Sequence, residues 1–115
     1  NTPARNTVAL MTAATGIDPT PLGNAYTAGT QKHAEGAKHF VDKMPVNYLY
    51  APLIARALPH AKFIHVTRGP MDSCFSSFKQ LFADAYPHSY DLEEMARHHV
   101  RYHNLMAHWR GVLGP

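Results

Sequence analysis

The clearest hydrophobic pattern in this chain is a helical stripe near the carboxyl end, where Leu92, Met95, His99, Tyr102, Met106 and Trp109 recur at steps of three or four. Asp91 and Glu94 precede it as a D-x-x-E start of capping-box type, so a long helix is expected from Leu92 to about Arg110. The opposite end is weaker in pattern. Thr2-Pro3 reads as an N-cap with proline at the first helical position, and Ala4, Val8 and Met11 recur at helical spacing before Gly16. Ile17 to Gly23, with two prolines and a glycine, reads as a loop, and a second helix is expected from about Asn24 to Ala34 with Tyr26 as its large apolar anchor.

Between these ends the rhythm changes. Phe40-Val41 is a short apolar run before Lys43-Met44-Pro45, and Phe63 to Thr67 is a second, longer one ending at Arg68-Gly69-Pro70. Both read as buried strands. Leu49, Leu53, Ile54 and Ala57 share one helical face between them, ending at Pro59; Pro52 forbids a regular helix much before Ala51, so the residues upstream form a separate turn. Strand, helix, strand is the order of a right-handed parallel crossover. A helix after Pro70 then carries Cys74, Phe75, Phe78, Leu81 and Phe82, with a break at Ala85 to Ser89. The expected fold class is α/β, a parallel sheet flanked by helices. Residues 1–38 form a helical and loop lead-in, 39–82 the strand-helix-strand-helix core and 91–110 a closing helix.

Composition narrows the possibilities without naming one. A chain of 115 residues with 45% hydrophobic and 17% charged content has the makings of one small globular domain rather than a disordered segment. Its formal charge of +3 suits an anionic partner, but the basic residues are scattered, so no nucleic-acid stripe is expected. The single cysteine, Cys74, excludes an internal disulfide and a thiolate zinc cluster. No apolar run approaches the ~20 residues of a bilayer span, and no membrane partner is expected. There are no internal repeats. The chain opens at Asn1 without methionine and stops just after a helical pattern, which reads as a fragment.

Arg68 stands at the end of a strand pattern, immediately before a helix start lined by Asp72, Ser73, Ser76 and Ser77. A guanidinium there can make two parallel hydrogen bonds to a phosphate, and the Ser76 hydroxyl, about two turns into the helix, can reach another oxygen. The bland alternative pairs Arg68 with Asp72 and leaves Ser76 facing solvent or bonding back to its own helix. Lys43 takes the analogous place after the first run, where an ammonium could meet a second anionic group or simply be solvated. Nine histidines raise a metal hypothesis: His99 and His103 are four apart on one helical face, with His98 and His108 nearby, but Glu93 and Glu94 are a turn or more away and no third ligand is clear. A last possibility is that Met95, Tyr102, Met106 and Trp109 dock a partner protein rather than cover their own domain.

The block VDKMPVNYLYAPLIARALPHAKFIHVTRGPMDSCFSSFKQLF, continuing through SYDLEEMARHHVRYHNLMAHWRGVLGP, resembles the sulfotransferase family, in particular the bacterial branch often fused to tetratricopeptide repeats. Tyrosylprotein sulfotransferases are more distant relatives. The resemblance runs from about Tyr26 to Pro115. It implies an α/β fold like that of P-loop nucleoside-triphosphate hydrolases, incomplete here, and a sulfuryl donor, 3′-phosphoadenosine-5′-phosphosulfate, used without a metal. By the same resemblance Arg68 and Ser76 grip the donor's 3′-phosphate, and Lys43, in a D-K-x-P-like segment, sits near the transferring sulfuryl group as the catalytic residue. The family's usual acidic residue between arginine and proline is Gly69 here, which bears on the local loop geometry alone.

The family's P-R-S-G-T-T-like loop for the 5′-phosphosulfate has no counterpart in these residues, and the general base is expected upstream of Asn1. The expectation is therefore a cytoplasmic enzyme of which this fragment is inactive alone. The acceptor, a hydroxyl or amine on a small molecule or protein, is not encoded in the signature. The alternatives are a non-catalytic nucleotide- or protein-binding module and a histidine-rich metal-binding helical domain.

Overall fold

The computed structural model describes residues 3–80 and 87–114. They gather into two compact units, Asn1–Lys62 and Phe63–Pro115.

The first unit holds α1 (Pro3–Thr15), α2 (Thr20–Gln31), a 3-10 turn (Asn47–Tyr50) and α3 (Ala51–Ala57). Proline lies in the first turn of α2 and again of α3, where its missing N–H would have no helical partner anyway. The separate turn expected before Ala51 is this 3-10 turn. By contrast, the loop expected over Ile17 to Gly23 is overtaken by helix from Thr20 onward. The reason is local: the Asp18 carboxylate accepts from the Thr20 backbone N–H at 2.9 Å, satisfying a donor that the helix start leaves open. That bond also lowers the Asp18 pKa from its ordinary value. After Gln31 the chain turns through Glu35 and Gly36, both at positive φ, the second a glycine free of the Cβ clash.

A close backbone approach and a bidentate arginine join its helices. Gly23 lets α2 and α3 approach so closely that a Cβ built at position 23 would overlap the Ala57 carbonyl. Arg56 donates to the Thr15 carbonyl (3.5 Å) and the Ile17 carbonyl (3.3 Å), bringing a cation to the carboxyl end of α1.

The second unit holds α4 (Pro70–Lys79), a 3-10 turn (Pro87–Tyr90) and α5 (Leu92–Leu113), with α4, α5 and the turn packed on one another. The start of α5 follows its sequence signal: the Asp91 carboxylate accepts from the Glu94 N–H at 2.8 Å. Its end lies beyond Arg110, at Gly114 with φ 83°. The expected places of Leu81 and Phe82 in α4, and the first two residues of the break expected over Ala85 to Ser89, lie outside the described residues; the remainder of that break lies in the 3-10 turn.

The parallel sheet is not formed, and the α/β assignment is corrected to a helical fold: among the described residues none is in a strand. Phe40-Val41 and Phe63 to Thr67 run without regular structure. Val41, Ile64 and Val66 are each more than four-fifths exposed, the reverse of the expected buried strands. The physical reason is that an apolar run becomes a strand only beside a partner, through ladder bonds and cross-strand pairs. Each run stands alone within its own unit. Burial is correspondingly slight: Ala51 and Met95 are the apolar side chains buried among the described residues. In the second unit Ser89 is fully buried, with an Oγ that finds no hydrogen-bond partner among the described residues, a cost of about 1–3 kcal/mol.

Candidate functional site

The stretch from Ala61 to Gly69 feeds directly into α4. Gly69 is the N-cap at φ −52° and ψ 136°, the extended geometry expected of a residue before proline. Any residue can adopt it, so the glycine is not needed for conformational freedom. A Cβ there would lie 3.1 Å from an Asp72 carboxylate oxygen, so an acidic side chain at this position would crowd a like charge. Pro70 then begins the helix, and the Ser73 N–H bonds the Gly69 carbonyl at 2.9 Å.

Where the incoming stretch meets α4 there is a cleft of about 590 Å³, lined by Val66, Thr67, Arg68, Ser73, Ser76, Ser77 and Gln80. Ser73, Ser76 and Ser77 stand at i, i+3 and i+4, a single polar stripe along α4 turned toward Arg68, and Gln80 follows as the extended C-cap of the helix. Residues eight apart in sequence, Arg68 and Ser76, thus share one cavity. Arg68 forms no ion pair with Asp72, and the hydroxyls of Ser73, Ser76 and Ser77 make no hydrogen bond to any described residue. The cleft therefore presents a guanidinium and three hydroxyls as open donors, a set suited to an anion with several acceptor oxygens. Asp72 sits in the first turn of α4 and offsets the positive end of the helix, leaving Arg68 and the stripe to provide the attraction.

Lys43 belongs to the first unit. It is exposed, in an irregular segment that its neighbours fasten in place. Asp42 accepts from the Tyr26 hydroxyl at 2.5 Å and from the Asn47 side-chain amide at 3.3 Å, and the Tyr26 ring lies 6.4 Å from that of Phe40. The bond to Asp42, helped by partial burial, pushes the Tyr26 pKa up to about 12.

A second cluster in the Phe63–Pro115 unit was not legible in the sequence. His65 Nδ1 lies 3.3 Å from an Arg110 guanidinium nitrogen, and its Nε2 bonds the Tyr102 hydroxyl. A guanidinium only donates, so Nδ1 accepts; the neutral ring then carries its proton on Nε2 and donates it to the Tyr102 oxygen. Tyr102 also meets the His65 and His99 rings at centroid distances of 5.8 and 6.0 Å. No signal in the sequence marks this cluster, because its partners are 37 and 45 residues from His65. The serine stripe, by contrast, is readable from helical spacing alone. Among the described residues no three His, Cys, Asp or Glu side chains gather as a metal site, so His99 and His103 lack further ligands there. No described helix is long and apolar enough to cross a membrane.

A family model described as the sulfotransferase family matches residues 5–115. An uncharacterized protein of Aquifex aeolicus (strain VF5) is 33% identical over 76 residues, which cover 64% of this chain and 10% of that protein. The chain thus spans about a tenth of the length of that curated relative. No solved structure matches.

Proposed function

The chain belongs to the sulfotransferase family, and from that premise we propose that it supplies the 3′-phosphate half of a site for 3′-phosphoadenosine-5′-phosphosulfate. The observation that carries this reading is the shared cleft of Arg68 and Ser76, with both side chains open. A 3′-phosphate brings roughly −1.5 to −2 charge and three acceptor oxygens. Arg68 meets two of those oxygens through its planar fork, and the Ser76 hydroxyl donates to the third. Ser73 and Ser77, half-buried on the same stripe, leave the anion further donors in place of water.

The donor supplies a sulfuryl group that passes in line to an acceptor oxygen or nitrogen: the new bond to sulfur forms, the bond to the 5′-phosphate oxygen breaks with its electron pair staying on that oxygen, and the acceptor proton goes to a base. By its place in the D-K-x-P-like segment, Lys43 is assigned to the oxygen on which that charge develops, where a preorganised ammonium is more effective than one in water. The Tyr26–Asp42–Asn47 network fixes the backbone position next to it. The acceptor is a hydroxyl or amine of a small molecule or protein.

Mapping by amide chemical shifts tests the location. Adenosine 3′,5′-bisphosphate titrated into the labelled chain is expected to shift the amides of Thr67, Arg68 and Ser73 to Gln80 most. Shifts centred elsewhere, or none, would remove the assignment of this cleft.

A further inference from the structure

The stretch that carries Arg68 has an unusual attachment. Its backbone bonds lie at its ends, from the Ala61 N–H to Leu58 and from the Ser73 N–H to Gly69. Between Lys62 and Arg68 no backbone-to-backbone hydrogen bond is formed among the described residues, and no strand lies alongside. One side chain in that interval is hydrogen-bonded to a described helix: His65, fastened to α5 on both ring nitrogens by Tyr102 and Arg110. It stands three residues before Arg68, at most about 11 Å along the chain.

We propose that Tyr102 and Arg110 are positioning residues of the nucleotide site, acting through His65 to hold Arg68 against the serine stripe of α4. The inference rests on the reading of the cleft as a 3′-phosphate site. In an ordinary sheet the ladder would fix such an arginine; here an imidazole clamp replaces it. The two contacts differ in what each demands of the ring. Arg110 requires an unprotonated Nδ1, and Tyr102 takes the proton of Nε2, so together they select one tautomer and one orientation. Neither residue lines the cleft itself.

A loss of positioning has a different signature from a loss of stability. Phe at position 102 keeps the ring and removes only the oxygen. In the full chain, Tyr102→Phe is expected to weaken adenosine 3′,5′-bisphosphate roughly fivefold, the usual worth of one hydrogen bond, and to leave adenosine 5′-monophosphate unchanged. Arg110→Ala should do the same, while Arg110→Lys, which still donates, restores most of the affinity. Equal weakening of both nucleotides, or no change in either, overturns the clamp. Arg68→Ala measured in parallel separates the two failures. If it abolishes the preference for the 3′-phosphate while Tyr102→Phe and Arg110→Ala do not, only the clamp is wrong; if Arg68→Ala is silent, the reading of the cleft falls as well.

Discussion

The Tyr26 phenol donates to a carboxylate, and that bond is what sets its proton affinity. Because the protonated form is held in the folded state, the pKa rises to about 12 from an ordinary 10.0. Folded pKa above unfolded pKa means that the contribution to stability is complete below pH 10 and is lost as pH rises through 12. Tyrosinate absorbance titration of the folded chain should therefore contain a late-ionising component near the top of that window, and Tyr26→Phe should delete it. A Tyr26→Phe titration curve that keeps the late component would contradict the assignment. At the same scale, Gly69 shows how little one departure from a family pattern need cost. Its backbone lies in a region open to every residue, and its missing side chain relieves the Asp72 carboxylate of a possible like-charged neighbour.

At the scale of elements, close approach and capping decide more than propensity. Ala is a better helix former than Gly by about 1 kcal/mol, so an exposed Gly23 would be improved by the exchange. Gly23 is buried against the Ala57 carbonyl, backbone that cannot swing aside. Gly23→Ala is accordingly expected to lower the stability of the first unit by about 1–3 kcal/mol, read as a drop in the denaturation midpoint; a neutral or stabilising outcome would show that α2 and α3 are not in contact there.

The elements also show which structure was legible in the sequence. Helix starts are local events, so Asp91 with Glu94 and the prolines at 52 and 70 could be placed within a residue or two. Asp18, whose carboxylate starts α2 early, was hidden by the loop-like prolines around it. Strands depend on a distant neighbour. Phe63 to Thr67 has every local property of one, and nothing in its own residues could reveal that no strand lies beside it among the described residues. The same distinction divides the site: the α4 stripe follows from spacing, whereas the His65 clamp joins residues far apart in sequence and could be seen only in three dimensions.

For the whole molecule, the family and the fold answer different questions. The match over residues 5–115 establishes what kind of protein this is, while the helical units, with Ala51 and Met95 as buried apolar side chains among the described residues, establish how little of it is sealed from water. The function proposed for it turns on one open cleft of the second unit and on whether that cleft discriminates a 3′-phosphate. Charge-assisted hydrogen bonds are worth about 1.5–3 kcal/mol each, so loss of the Arg68 fork should cost at least tenfold. The most direct measurement is calorimetric titration of the chain and its Arg68→Ala variant with adenosine 3′,5′-bisphosphate and adenosine 5′-monophosphate. A clear preference for the bisphosphate that Arg68→Ala erases is expected; equal affinities for the two nucleotides, or a preference that survives the substitution, would contradict a 3′-phosphate site at Arg68.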